Sequence, residues 1–331
     1  MVTLVVATTC DPASINPAKA LLAMPGWQPG PTLEGGIRSF KNGGSLRLLE
    51  QEKFIIEEDD LDLRWEAATG ETVVEVIFLS RHAAVSNRPA LTIHPIGVPH
   101  LKDGDVLPQG GKPGWAAPPC PRMGPWLLLL KKIAESHNLL PEFEITLEAT
   151  HHGPVTTKPT MFIEIGSTED YWGRQDAARV VAQFGKDLVL EKVLLLELGA
   201  GMFEFTQRLL SKSLNATEKK KVLLGIGGGH YVPRHMDIIM KDGTWVGHLI
   251  SGYSLPMEDP GQLKEKTTTD SIGGTWKQAI KVAFDATKAA FPGGEILAHL
   301  DHKSFKGWQK NAITDFLGQQ GIKVGKPADF H

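Results

Sequence analysis

Short apolar runs alternate with helical stretches along most of this chain, and this alternation constrains its fold more than any other feature. The runs have the length of strands, about 4–8 residues, and amphipathic stretches lie between them. The pattern predicts an α/β protein, because helices between strands cover the faces of a largely parallel sheet. Predicted strands cover residues 3–8, 73–79, 90–98, 142–150, 161–165, 222–226, 244–250 and 295–300. Predicted helices include residues 19–24, 126–137, 168–184, 276–290 and 305–318.

Two long segments rich in glycine and proline interrupt the alternation, at residues 102–125 and 255–274. The chain has 331 residues, which suffices for about two average domains or one large domain with insertions. We therefore expect an N-terminal α/β part over residues 1–120 and a C-terminal α/β part over residues 121–331, packed tightly as one body.

The net charge of the chain excludes binding of nucleic acid through an overall positive charge. The chain has 35 basic and 38 acidic residues, so its net charge is −3, and a nucleic-acid partner must contact local patches. No apolar run approaches the roughly 20 residues that cross a bilayer, and no basic segment precedes the N-terminal run. Two cysteines make no disulfide framework. We expect a soluble protein with no membrane partner, located in the cytoplasm, with the nucleus left open as a second compartment.

Histidines and carboxylates concentrate near the ends of predicted strands, where open α/β sheets bind ligands. Strand 142–150 contains Glu148 and is followed by His151 and His152, and Glu164 lies in a strand that is otherwise apolar. Burying a bare carboxylate costs several kcal/mol, so Glu164 must be paired, protonated or bound to a metal. We assign Glu148 and Glu164 to catalysis, and His151 and His152 to metal binding. The alternatives are a solvated sheet face for Glu144 and Thr146, which precede Glu148 in the same strand, and a salt bridge from Glu164 to a Lys or Arg.

The segment GIGGGHYVPRH follows another predicted strand. Three consecutive glycines, Gly227, Gly228 and Gly229, let the backbone approach a ligand closely, so we assign them to substrate binding. Pro233 disfavours a helix between His230 and His235 and predicts a loop that brings both rings together. Two imidazoles, a carboxylate and an open position would make a hydrolytic zinc site, so both histidines are predicted metal ligands. Ordinary loop histidines are the alternative.

The segment LSRHAAVSNRPALTIHP places further polar groups between two predicted strands. We expect Arg81 and His82 to stabilise an oxyanion or a phosphate group, and Arg88 and His94 to bind substrate. Surface arginines are the alternative. No G-x-S-x-G elbow frames a serine, which disfavours a serine nucleophile.

The C-terminal segment KSFKGWQK is the best local patch for a nucleic acid. Lys303, Lys306 and Lys310 alternate with Phe305 and Trp308, and positive charge beside an aromatic platform suits the phosphates and bases of a nucleic acid. The alternative is an amphipathic helix that packs both aromatic rings into the core.

Several long segments together carry a family resemblance: MVTLVVATTCDPASINPAKALLAMPGW, EVIFLSRHAAVSNRPALTIHPIGV, FEITLEATHHGPVTTKPTMFIEIGSTEDYW, KVLLGIGGGHYVPRHMDI and FPGGEILAHLDHKSFKGWQK. The chain resembles the plant members of the archaeal-type (type 2) D-aminoacyl-tRNA deacylases over essentially its whole length. Residues 185–221 do not match this pattern and are predicted to be an insertion. The resemblance implies a three-layer mixed-sheet α/β fold similar to phosphorylases and peptidyl-tRNA hydrolases. It also implies zinc as cofactor and tRNA charged with D-amino acids as partner, but it does not identify the zinc ligands.

Residues and resemblance together predict a hydrolase. It would cleave the ester between a D-amino acid, or an N-ethylated aminoacyl group left by acetaldehyde, and the tRNA 3′ end, using water activated by zinc. Glu148 or Glu164 would act as general base or as ligand. A metal-dependent peptidase or amidohydrolase is one alternative, and a tRNA-binding module without catalysis is another. The oligomeric state is left open.

Overall fold

The computed structural model describes residues 1–107, 109–187, 221–242, 244–261 and 269–331. The predicted insertion lies almost entirely outside the described residues. The strands are β1 (Val2–Thr8), β2 (Gln28–Pro29), β3 (Arg38–Lys41), β4 (Leu46–Gln51), β5 (Val73–Arg81), β6 (Ala90–His94), β7 (Glu144–Leu147), β8 (Thr160–Gly166), β9 (Lys221–Ile226), β10 (Trp245–Ile250), β11 (Glu295–Leu300) and β12 (Lys323–Val324). The helices are α1 (Pro12–Leu22), α2 (Leu61–Thr69), α3 (Met123–Ser136), α4 (Glu169–Trp172), α5 (Gln175–Asp187), α6 (Pro233–Asp242), α7 (Trp276–Ala290) and α8 (Gly307–Gln319).

A large mixed sheet forms the centre of the molecule, with strand order β2-β3-β4-β1-β5-β8-β6-β7. Strands β4, β1, β5 and β8 are parallel, and β6 runs antiparallel to β8. The central strands are apolar on both faces because both faces are covered. Helices α1, α3 and α5 pack on one face, and α2 packs on the other with Trp65 fully buried. The sheet is therefore the middle of three layers.

A second, four-stranded sheet has the order β10-β9-β11-β12, and all its pairs are parallel. Helices α7 and α8 pack on one face around Trp276. Leu223 and Val246 on the other face belong to the same core cluster as α3 and the large sheet. The two sheets thus share one hydrophobic core, which fixes the loops of the second sheet against the first.

The predicted mixed α/β architecture is confirmed, and the helix over residues 276–290 and the strand over residues 295–300 have the predicted bounds. Two strands are shorter than predicted: β6 ends at His94, before a proline, and β7 ends at Leu147. The helix predicted over residues 168–184 is interrupted at Gly173. Strands β7 and β8 follow residue 120 and belong to the same sheet as β1, so residue 120 does not separate the sheets. No helix in the described ranges is long and apolar enough to span a membrane.

Candidate active site

Three neighbouring strands bring polar side chains together at the centre of the large sheet. Glu164 lies in β8, which is flanked by β5 and β6, and it pairs in register with Ser80 and Thr92. His82 directly follows β5, and His94 is the last residue of β6. Because β6 is antiparallel to β8, its end lies beside Phe162, two residues from Glu164 on the same face of the sheet.

Two loops complete this cluster of side chains. Glu148, His151 and His152 follow β7, and His230 lies in the loop after β9 of the second sheet. The backbone N–H of Ala149 donates to the His230 carbonyl at 2.8 Å, which ties the two loops together. The site therefore depends on the docking of the two sheets.

The two carboxylates are buried, and histidines surround them. Glu148 Oε1 lies 3.0 Å from His82 Nδ1, and Glu148 Oε2 lies 2.8 Å from His230 Nε2 and 3.5 Å from His151 Nε2. Glu164 lies 3.7 Å from both His82 Nδ1 and His94 Nε2. The ion-pair partners of Glu164 among the described residues are thus imidazoles and not the Lys or Arg of the alternative prediction.

These contacts set the protonation of the cluster. Burial opposes a charged His82, but Glu148 and Glu164 outweigh it and raise the pKa of His82 to about 11. Burial would raise the pKa of Glu148, yet contacts with His230 and His82 hold that pKa well below its usual value. The pKa of Glu164 is lowered in the same way, against its burial, by His82 and His94. At neutral pH the cluster is therefore two carboxylates around an imidazolium.

Three histidines have the donor geometry of a metal site. The ligand atoms of His94, His151 and His152 lie within 4.8 Å of one another. His94 Nδ1–H donates to Pro95 O at 3.2 Å and His151 Nδ1–H donates to Ala149 O at 2.7 Å, so each ring would offer its Nε2 to a metal. In the structure these Nε2 atoms lie 3.7 Å from Glu164 and 3.5 Å from Glu148. His94 Nε2 and His152 Nδ1 are buried without a hydrogen-bond partner. Three imidazole nitrogens of this kind fit a zinc ion.

The remaining histidines of the cluster are occupied by protein partners. His82 Nε2 lies 2.7 Å from the Tyr231 hydroxyl, and His230 Nδ1 lies 3.2 Å from the Tyr253 hydroxyl, while their other ring nitrogens face Glu148.

The protonation of His151 and His94 bears on metal binding. Burial, and to a smaller extent the positive charge of the neighbouring His94, lowers the pKa of His151 to about 4, which favours the neutral form that a metal requires. Glu164 raises the pKa of His94 despite its burial, so a metal bound there would displace a proton.

A cavity of about 330 Å³ opens in front of the cluster. Its size is within the range of small-molecule binding sites. One wall is apolar and the rest is polar and ionisable; the lining residues are Thr8, Asp11, Phe54, Ile55, Ile56, Ser80, Arg81, His82, Ala83, Gln109, His151, His152, Glu164 and His230. Glu164 thus faces the cavity, whereas Glu148 lies behind it.

The predicted arginines lie in different places. Arg81 lines the cavity, and its guanidinium lies 4.8 Å from the centre of the Trp172 ring. Arg88 is exposed, 3.4 Å from Glu144, and is not among the cavity-lining residues. The structure therefore brings Arg81 to the cluster and leaves Arg88 outside it.

His235 also lies outside the cluster. The prediction of a loop across Pro233 is wrong, because Pro233 begins α6, and the first position of a helix suits a proline. His235 is buried on that helix, with Nδ1 2.8 Å from His299 Nδ1 and Nε2 3.2 Å from the Gly227 carbonyl. The two predicted metal ligands of this segment, His230 and His235, are thus separated.

The triple glycine supports the loop that carries His230. Gly227 and Gly228 have φ values of 95° and 90°, which favour glycine, and a Cβ at Gly227 would lie 2.7 Å from Phe305. The Gly228 N–H donates to Ser304 Oγ at 2.6 Å. Gly229 follows with open space around its Cα. The glycines therefore allow close packing on residues 301–305, and two of their N–H groups are used within the protein.

The C-terminal segment KSFKGWQK matches the alternative prediction, in which the aromatic rings pack into the core. Phe305 is buried and Trp308 packs against the core of the second sheet, so they do not form an exposed platform. Lys303 and Lys306 are exposed and Lys310 is half-buried, at the start of α8. The charges remain available for contact, but the aromatic rings do not.

Sequence reasoning missed several residues of the site. Asp11 and the segment 54–56 line the cavity, although they are far from the histidines in the chain. Tyr231 and Tyr253 contact His82 and His230. Tyr231 directly follows His230, which was the one available signal; the others depend on pairing between distant elements.

Comparisons with known proteins agree with this architecture. A family model described as D-aminoacyl-tRNA deacylase matches residues 69–325. A D-aminoacyl-tRNA deacylase of Arabidopsis thaliana is 67% identical over 330 residues, covering 100% of both chains. One of Aeropyrum pernix is 30% identical over 320 residues and 96% of both chains. A solved structure of a conserved protein of unknown function matches with a TM-score of 0.69 and 25% identity, covering 99% of this chain and 96% of that one. As its resemblance to the archaeal-type members predicts, the chain is a hydrolase that belongs to the D-aminoacyl-tRNA deacylase family.

Proposed function

We propose that this protein hydrolyses the ester bond between a D-amino acid and the 3′-terminal ribose of tRNA, and that N-ethylated aminoacyl groups are substrates too. The observation that carries the proposal is the pair of buried carboxylates among histidines, with Glu164 and His82 open to a cavity of about 330 Å³. Ester hydrolysis needs a base for water and positive charge near the carbonyl oxygen. Both kinds of group line this cavity.

We assign a zinc ion to His94, His151 and His152, because their ring nitrogens converge and two of these nitrogens, His94 Nε2 and His152 Nδ1, have no hydrogen-bond partner. A zinc ion held there would supply a Lewis acid that lowers the pKa of water and polarises an ester carbonyl. The Pro95 and Ala149 carbonyls orient the rings of His94 and His151.

Glu164 is the general base in this proposal. It is buried, its lowered pKa keeps it ionised, and it lines the cavity, so it can accept a proton from the attacking water. Glu148 lies behind the cavity within 3.5 Å of His82, His151 and His230, and it orients these rings. The His82 imidazolium lines the cavity while its two ring nitrogens contact Glu148 and the Tyr231 hydroxyl, so its positive charge, and not a hydrogen bond, would stabilise negative charge on the carbonyl oxygen.

Basic groups beside the cavity suit the tRNA end. Arg81 lines the cavity and can bind a phosphate of the acceptor end. Lys303 precedes Ser304, which contacts the loop of His230, so this patch lies close to the site. We propose that Lys303, Lys306 and Lys310 contact tRNA phosphates.

A deacylation assay with D- and L-aminoacyl forms of one tRNA tests the proposal. The D-form should be hydrolysed far faster; chelation should abolish the reaction and zinc should restore it, with metal content measured in the same samples. Equal rates on both forms would remove D-selectivity, and full activity of metal-free protein would exclude the zinc assignment. Cleavage of peptides but not of the tRNA ester would favour the peptidase alternative.

A further inference from the structure

Asp11 is a buried carboxylate of the cavity wall that the proposed chemistry does not use. It caps α1: Oδ1 accepts a hydrogen bond from Ala13 N at 3.0 Å, and Oδ2 accepts one from Arg81 N at 3.0 Å. These bonds fix both oxygens at the end of β1, on the same cavity as Glu164. Each oxygen keeps capacity for another donor, because a carboxylate oxygen has two lone pairs.

The charge of Asp11 is incompletely balanced by the protein. Burial raises its pKa although two N–H groups and the positive charge of Arg81 oppose this effect. The Arg81 guanidinium lies over the Trp172 ring, 4.8 Å from its centre. A small cation that enters the cavity and donates hydrogen bonds would therefore stabilise the Asp11 carboxylate.

The apolar wall of the same cavity is formed by Phe54, Ile55 and Ile56. Ile55 is buried in the core of the large sheet, whereas Phe54 is 49% exposed. The cavity thus combines an anion, an apolar surface and a general base. An aminoacyl ester has the matching groups on neighbouring atoms: an α-ammonium, a side chain and the carbonyl that is attacked.

We propose that Asp11 binds the α-ammonium of the aminoacyl group while the wall of Phe54, Ile55 and Ile56 contacts its side chain. This inference rests on the proposed function and extends it to the recognition of the substrate's chiral centre. With the carbonyl at Glu164 and the ammonium at Asp11, only one enantiomer directs its side chain to the apolar wall. Asp11 therefore selects substrates that have a positively charged α-amino group, and together with the apolar wall it selects one configuration at the α-carbon.

Asp11→Asn tests the role of the charge, since asparagine is also a good helix cap. The assay compares a D-aminoacyl-tRNA with the D-hydroxyacyl ester of the same tRNA, in which a hydroxyl replaces the ammonium. Loss of a hydrogen bond between charged groups should lower kcat/KM for the aminoacyl ester by about 10- to 100-fold. The hydroxyacyl ester should change by less than about 3-fold, because it has no cation to lose.

Asp62→Asn is the matched control. Asp62 is also a buried carboxylate that accepts a backbone N–H, from Thr157 at 2.9 Å, but it lies on α2 and is not among the cavity-lining residues. The Asp62→Asn variant should leave the ratio of kcat/KM for the aminoacyl and hydroxyacyl esters unchanged. Thermal unfolding of each variant measures the loss of the cap separately from the loss of selectivity.

The wild-type protein gives a second test that needs no variant. After each kcat/KM is divided by the uncatalysed hydrolysis rate of the same ester, it should prefer the D-aminoacyl ester to the D-hydroxyacyl ester by about 10-fold or more. Equal rates on the two esters, or an equal fall of both rates in Asp11→Asn, would overturn the role of Asp11 while leaving the deacylase function intact. Absence of wild-type activity on any D-aminoacyl-tRNA would instead overturn the function itself, and this inference with it.

Discussion

Glu164 lies in an apolar strand, yet its carboxylate opens into the cavity between His82 and His94. Glu164→Gln keeps the shape of the side chain and deletes its charge. We expect the variant to fold and its kcat to fall by about 10²-fold or more, the loss typical of a general base. Steady-state deacylation together with thermal unfolding checks both points.

Glu75→Gln is the control for this prediction. Glu75 is a buried carboxylate on the adjacent β5, but it contacts Cys120 Sγ at 2.9 Å and lies outside the cavity lining. Its variant should keep its turnover per folded molecule. A stable and fully active Glu164→Gln, or a Glu164→Gln that only loses stability, would place the active site elsewhere.

At the level of single residues, the sequence predicts the carboxylates better than it predicts their partners. Glu164 could be singled out because its neighbours in the chain are apolar. The position of His94 in the cluster depends on β6 running antiparallel to β8, and no local pattern encodes that pairing. Asp11 enters the site only because β1 lies beside β5.

At the scale of an element, the start of α8 presents a local basic patch beside the loop of His230. Replacing Lys303, Lys306 and Lys310 together by alanine should raise KM for tRNA and leave kcat unchanged. If all three contact phosphates, the slope of log affinity against log salt should become less steep by about 2 to 3, since each contact contributes about 0.7–0.9. Binding measured between about 50 and 200 mM salt gives this slope.

A charge-matched variant of α7 controls for the change in net charge. It replaces Lys277, Lys281 and Lys288 by alanine, on a helix that packs on the second sheet. Its salt slope should equal that of the wild type. Equal slopes for both triple variants would remove the tRNA contact from the start of α8.

Helices and strands that bury many apolar residues could be predicted from the sequence. Those that bury only a few could not. Strands β5 and β8 and helix α7 have continuous or amphipathic apolar runs. Helix α2 buries only Leu61, Asp62 and Trp65, which is too narrow a face to stand out in its sequence. The position of a proline within a loop also mattered, since Pro233 begins α6 although a proline inside a helix would interrupt it.

At the scale of the whole molecule, the active site forms because the two sheets dock against each other. The backbone of Thr150, beside the site, donates to Leu249 O at 2.6 Å, and Leu249 N donates to Thr150 Oγ1 at 3.1 Å. His248 of β10 has its Nδ1 2.9 Å from Thr150 Oγ1 and its Nε2 2.9 Å from the Ala117 carbonyl. Composition and periodicity do not predict this docking, because it depends on residues that are far apart in the chain.

His248 makes this connection sensitive to acid. Burial lowers its pKa from 6.5 to about 4, although the hydrogen bond to Ala117 O partly opposes the shift. In the unfolded chain the ring binds a proton near its ordinary pKa, whereas the folded protein keeps it neutral to lower pH. Acid therefore favours the unfolded state in this range, and stability is regained as the pH rises through it.

We expect His248 to lower the free energy of unfolding by about 2 kcal/mol between about pH 7.5 and about pH 5. His248→Gln cannot titrate, so urea unfolding at the two pH values should show a difference smaller than that of the wild type by this amount. The exposed His137 serves as the control, because water surrounds its ring in both states and His137→Gln should keep the wild-type difference. If His248→Gln and the wild type lose the same stability on acidification, protonation of this ring does not govern the docking of the two sheets.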